Sequence, residues 1–185
     1  MIIFNSKKLK ILQMTHPSLR NVSDDIKEYD KTLNDLAKSL TKLMKDPFND
    51  GVETVGISAA QVGINVKLCI CKVPGSGKNI AMVNPVVLDL SDDINKELEG
   101  CVSVGIGPNQ LFAYVPRPRT VKIKYFDLKG QEAFLEAKDL MSHIVQHEID
   151  HMYGKLFIDY IDDPNEIMTL AELNERSSME KKSLI

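Results

Sequence analysis

MSHIVQHEIDHMYGKLF, residues 141–157, contains the pattern His147-Glu148-Ile149-Asp150-His151. In a helix, two imidazoles four residues apart stand one above the other on one face, with the Glu148 carboxylate beside them. That arrangement can hold a metal and a base. The same five residues also occur as a polar stripe on a surface helix, so the surroundings must arbitrate. Leu140, Met141, Ile144, Val145, Ile149 and Met152 spread round much of the circumference, which predicts a buried core helix over residues 137–152. Buried histidine and glutamate are costly unless they are paired or bound to a metal. Gly154 and the apolar residues 156–158 follow at once, ending the helix and returning the chain to the core.

The segments before this helix read as strands. TVKIKYFDL alternates, and Lys129-Gly130 turns it into QEAFLEA as a hairpin. LFAYV is a further strand, and Pro116-Arg117-Pro118 is expected to bend the chain. VKLCICKV and NIAMV flank the loop Pro74-Gly75-Ser76-Gly77 as another hairpin, Asn84-Pro85 breaks the run, and VVLDL resumes it. The acidic SDDINKE segment is expected as a solvated turn, followed by a strand-like ELEGCVSVG bearing Cys101 and a loop over residues 105–109. Earlier still, Leu33, Leu36, Ala37, Leu40, Leu43 and Met44 recur at three- and four-residue spacing, predicting an amphipathic helix over residues 28–45 that Asp46-Pro47 ends. Residues 1–22 read as an extended arm lying over the domain, with no catalytic role and with His16 on the surface. The end of the chain reads as an exposed helix fraying into a polar tail over residues 175–185. Sheets around one buried helix, with an N-terminal amphipathic helix and a C-terminal helix, make an α+β architecture in one catalytic domain spanning residues 1–185.

Bulk properties narrow the class. The 185 residues suffice for one buried core, and 43% apolar with 26% charged residues is ordinary for a globular chain. A formal charge of −3 offers no basic footprint for nucleic acid. The apolar start, residues 2–4, meets Lys7 and Lys8 too soon for a secretory or membrane segment, so a cytoplasmic location is expected. Three cysteines, Cys69, Cys71 and Cys101, fit a reducing compartment rather than a disulfide scaffold. Cys69 and Cys71 share one strand face and read as small core side chains.

A catalytic metal site needs a third protein ligand and an open position. In the metzincin pattern Gly154 would match, but Phe157 stands where the third histidine belongs, which excludes that class. Glu166, Glu172 and Glu175 could serve a thermolysin-like endopeptidase, although all three lie in a polar stretch. Cys101, between Gly100 and Val102, could instead present a thiolate. A metal-stabilised binding protein without catalysis is a third reading.

HEIDH, EGCVS and GISAAQVG occur together, and the arm, Asn84-Pro85, the Val115-Pro116-Arg117 bend and GKLFIDY accompany them. Together these resemble the motifs of peptide deformylases. The resemblance implies metal ligation by Cys101, His147 and His151, catalysis by Glu148, and oxyanion contacts from Gln61 and the backbone N–H of Val102. It further implies sheets wrapped around the HExxH helix, and removal of the formyl group from the N-terminal methionine of newly made polypeptides. Such peptides are the implied partner, with the ribosome as a second. A Cys-His-His site suits Fe2+, Zn2+, Ni2+ or Co2+, and the resemblance suggests ferrous iron. Val55, Gly56 and Ile57 are expected to run beside the peptide as an added strand, and Gly100, Leu140, His143 and Ile144 to line the methionine pocket. The chain departs from the family pattern at Thr54, where glycine is usual, at Ser58, where alanine is usual, and at Val102, where leucine is usual. The loop after EGCVS is also longer and lacks an arginine often found there.

Overall fold

The computed structural model describes residues 2, 4–5, 9–45 and 54–183, with the backbone alone for residues 177–183. The helix α1, Lys31–Leu43, starts where the Asp30 carboxylate accepts the Leu33 N–H at 3.0 Å, which is why it begins later than the apolar spacing alone suggests. Its expected terminator, Asp46-Pro47, lies outside the described residues. Strands β1 (Gly56–Ser58), β2 (Leu68–Lys72), β3 (Asn79–Leu90), β6 (Thr120–Phe126) and β7 (Glu132–Lys138) form one antiparallel sheet in the order β1-β2-β3-β6-β7. Strands β4 (Ile94–Gly100), β5 (Leu111–Pro118) and β8 (Met168–Thr169) form a second, also antiparallel. Helix α2, Asp139–Met152, touches β1, β2, β6 and β7 on one side and β4 and β5 on the other, and α3 spans Leu170–Ser183.

Strand periodicity explains this layering. On β2, Leu68 and Ile70 point to α1, where Leu33, Leu36, Ala37 and Leu40 are buried. Cys69 and Cys71 point the other way, onto Ile144, Val145, Ile149 and Met152 of α2, and so are small core side chains as expected. Fully burying a leucine contributes roughly 1.5–3 kcal/mol, so the fully buried Leu33, Leu36 and Leu40 are the main anchors of α1. A third cluster, Val104, Ala113, Val115, Leu156 and Phe157 around Cys101, sits under the small sheet. Phe157, in the position that excluded the metzincin reading, is thus core.

Several local expectations are corrected. Asn84-Pro85 does not end a strand: β3 continues through a register shift between Val83 and Val86, with Asn84 at φ 48° and its side chain bonded to both backbone groups of Ile26. Most of the SDDINKE segment is strand, because Ile94 to Glu97 pair with Pro118 to Val115. Pro116 and Pro118 do not bend the chain but lie within β5, where β8 pairs only with Leu111 and Phe112 and leaves an open edge that tolerates a missing N–H. Cys101 follows β4 rather than lying in it. The backbone stays helical to Ser183, where a frayed tail from residue 175 is expected, since Glu, Arg, Met and Lys are good helix formers.

Across residues 9–22 the arm lies over the rest of the chain, as expected, but only partly extended, with a 3-10 turn at Pro17–Arg20 that buries Leu19. It is stitched to the end of α2 by Ser23 N–H on Met152 O at 2.8 Å. There Gly154 turns at φ 71°, and a Cβ would come within 2.4 Å of Arg20 O. No helix among the described residues is long and apolar enough to cross a membrane.

Candidate metal centre and active site

Helix α2 brings His147 and His151 one turn apart, ring centroids 5.0 Å from each other, and the end of β4 delivers Cys101 to them. Donor atoms of the three lie within 4.8 Å of one another, and Cys101 Sγ is 3.4 Å from His151 Nε2. One thiolate and two imidazoles are the donor set of a tetrahedral site with one open position, so the residues present fit a divalent metal. Glu166 and Glu172 do not join it: Glu166 is half exposed beside Lys96, and Glu172 accepts the Thr169 N–H and hydroxyl. Glu175 is exposed on α3.

The carboxylate that sets the imidazole orientation is Glu99. Its Oε2 accepts the His147 Nδ1–H at 2.8 Å, leaving Nε2 for a metal, and its Oε1 lies 3.1 Å from His143 Nδ1. Arg117 clamps the same carboxylate through Nε and Nη2 and reaches Asp150 Oδ2 at 2.8 Å through Nη1. Tyr160 donates its hydroxyl to Asp150 and lies under the guanidinium. Burial opposes ionising Glu99, but the bonds from His143, His147 and Arg117 outweigh it and hold the carboxyl far below the usual range. Burial likewise opposes the Arg117 charge, and Glu99 and Asp150 outweigh it. The two clustered histidines therefore differ. Burial, helped by the nearby His147 and Arg117, drives His151 well below its ordinary value, whereas contacts with Cys101 and Glu99 overcome burial at His147 and raise it.

Glu148 has the opposite surroundings to Glu99. It is 3% exposed, its Oε2 has no hydrogen-bond partner, and burial pushes its pKa up to about 7. It packs on Gly56, whose position would place a Cβ 2.3 Å from Glu148 Oε1, so only glycine fits there. Gln61 is anchored through Oε1 by the Ser58 N–H at 2.8 Å, and its Nε2 donates to Cys101 Sγ at 3.4 Å and Ser103 Oγ at 3.2 Å. Ser58 is thus used through its backbone.

A cavity of about 270 Å3 opens in front of these groups. Thr54, Val55, Gly56, Gln61, Gly100, Cys101, Val102, Leu140, His143, Ile144, His147 and Glu148 all line it. Ile57 does not: its side chain is 1% exposed and packs toward α1, because alternation along β1 turns it away from the cavity. Its backbone still belongs to β1, the edge strand of the large sheet. His16 is exposed on the arm, as expected. Reading the sequence missed Glu99, Arg117, Phe112 and Gln110 as parts of this region. The available signal was Arg117 in the otherwise apolar LFAYVPRP: a charge in a strand that buries one face requires a buried counter-charge.

Comparison with known proteins agrees with this geometry. The family model for polypeptide deformylase matches residues 8–166. A peptide deformylase from Bartonella tribocorum is 32% identical over 172 residues, covering 90% of this chain and 92% of that one. Among solved structures, a plant peptide deformylase superposes with a TM-score of 0.78 at 32% identity, covering 99% of this chain and 94% of its own. A peptide deformylase from Synechococcus elongatus, in complex with actinonin, superposes with a TM-score of 0.76 at 26% identity, over 86% and 83%. With its antiparallel sheets, the three α-helices among its described residues and its Cys-His-His cluster, the chain belongs to the peptide deformylase family.

Proposed function

We propose that Cys101, His147 and His151 hold one divalent metal ion, ferrous iron in the cell, and that Glu148, Gln61 and the Val102 N–H carry out the hydrolysis beside it. The reaction itself is the family's: metal-dependent removal of the N-formyl group from newly made polypeptides. The observation that carries the residue assignment is a buried carboxyl whose Oε2 has no partner, lining the same cavity as Cys101 and His147 of the clustered donors. Bound there, a metal supplies Lewis acidity that lowers the pKa of water and polarises a carbonyl.

The chain's own groups do the rest. Glu148, with a pKa raised to about 7, takes the proton of the attacking water at its free Oε2 and returns it to the departing amine nitrogen. Gln61 Nε2–H and Val102 N–H stabilise the negative charge that develops on the formyl oxygen. Residues 55–57, along the open edge at β1, receive the peptide backbone as an added strand, with Ile57 contributing backbone only. Gly100, Leu140, His143 and Ile144 enclose the methionine side chain. Nascent chains imply the ribosome as the partner that presents them, and the cytoplasm as the place.

The test is formate release from formyl-Met-Ala-Ser by wild-type protein and by Glu148→Gln at equal metal occupancy. Release by the wild type and a fall of about 100- to 10,000-fold in the variant are expected. A variant as active as the wild type would remove Glu148 from the mechanism.

A further inference from the structure

The N-terminal arm grips the metal-ligand loop through Gln13, a side chain that the reaction does not use. Gln13 Nε2 donates to Val102 O at 3.0 Å, and its Oε1 accepts the Gly105 N–H at 3.3 Å. The peptide joining Val102 to Ser103 is therefore held at its carbonyl by the arm. Its other end, the Ser103 N–H, donates to Cys101 Sγ at 3.4 Å. A peptide group is planar, so fixing the direction of the carbonyl fixes the direction of the N–H. The second N–H donor to that sulfur is Gln61 Nε2, and the Gln61 carbonyl is itself bonded to the Leu12 N–H at 2.8 Å. Two consecutive arm residues thus secure the residues behind both N–H···S contacts.

Hydrogen bonds to a ligand sulfur withdraw charge from it and tune the metal, and partners outside the ligand set commonly govern affinity and activity. We propose that Gln13 is a positioning residue for the Cys101 thiolate, aiming the Ser103 N–H at the sulfur and keeping the adjoining Val102 peptide in place. This rests on Cys101 being a metal ligand. Without the Gln13 amide, the Val102 carbonyl and the Gly105 N–H turn to water, the loop over residues 102–105 relaxes, and the sulfur loses a donor. A simple strap would instead cost only melting temperature.

Cobalt-loaded wild type, Gln13→Ala, Gln13→Leu and Gln13→Glu separate these roles. The readouts are the sulfur-to-cobalt charge-transfer absorption and kcat/KM on a formyl-methionyl peptide, each taken well below the melting temperature of the variant. A shifted band in all three variants and a fall of about tenfold in kcat/KM are expected. Gln13→Glu keeps an acceptor for Gly105 but cannot donate to Val102 O, so it should behave like Gln13→Ala. A wild-type band and wild-type kcat/KM in the alanine and leucine variants, whatever their melting temperatures, would overturn the inference. So would a Gln13→Glu protein indistinguishable from wild type. Wild-type protein without any sulfur-to-cobalt band would overturn Cys101 ligation itself, and the inference with it.

Discussion

Glu148 and Glu99 are two buried glutamates near the same metal centre with opposite electrostatics, and their partners explain why. Glu99 meets Arg117 and two imidazole nitrogens and stays ionised; Glu148 Oε2 meets no donor and is pushed up to about 7. In the metal-free protein this has a consequence for stability. Between the ordinary value of 4.5 and about 7 the folded state holds a proton on Glu148 that the unfolded state has lost. Stability contributed at this site is therefore complete below the lower value and falls as pH rises through the window. Denaturant titration of metal-free wild type and Glu148→Gln should show the wild type losing stability relative to the variant between about pH 4.5 and 7, by on the order of 3 kcal/mol. Parallel pH profiles for the two proteins would show that Glu148 is not held in a desolvated site. His143 is bonded to Glu99 at Nδ1, lines the cavity and stands outside the Cys-His-His cluster, as a pocket wall would.

At the scale of elements, α2 carries His147, His151 and Glu148, while β4 and the turn after it carry Glu99 and Cys101, so the proposed ligands come from two elements. Glu99→Gln should therefore weaken metal binding by roughly 10- to 100-fold, measured by competition with a chelator, although Glu99 touches no metal-facing nitrogen. Unchanged affinity would make the Glu99–Arg117–Asp150 network purely structural. At the end of α2, Gly154→Ala should destabilise by more than about 1 kcal/mol in thermal or denaturant unfolding, from its positive φ and its contact with Arg20 O. The helix was legible because HEIDH sits in apolar residues at helical spacing, the β6–β7 hairpin because its strands alternate, and the β2–β3 hairpin because two apolar runs flank Pro74-Gly75-Ser76-Gly77. The extent of β4 and β5 was not. Asp-Asp and Pro-Arg-Pro look like breakers locally, and only pairing between the two strands, with an edge open beyond Phe112, makes them strand. The same long-range pairing puts Arg117 opposite Asn95, on the face of β4 that also carries Glu99, so the partner in the buried ion pair could not be read from either segment alone.

Across the whole molecule, the centre is assembled from four stretches far apart in sequence: the arm, the residues from Thr54 to Gln61, the turn at Cys101 and helix α2. Three of them were visible as motifs, because the proposed ligands and base, and the glycine, must be particular residue types. The arm was not visible as part of the site, because Gln13 acts through backbone groups of a loop it meets only in the fold. An assembly of this kind is complete only when every stretch is docked, and its activity should count metal ions rather than chains. The most direct measurement is formate released from formyl-Met-Ala-Ser by chelated protein to which ferrous iron is returned without oxygen, for wild type and Cys101→Ala. Wild-type activity rising linearly and levelling at one equivalent of iron, with none in the variant, is the predicted result. Formate release that ignores iron, or that survives undiminished in Cys101→Ala, would contradict it.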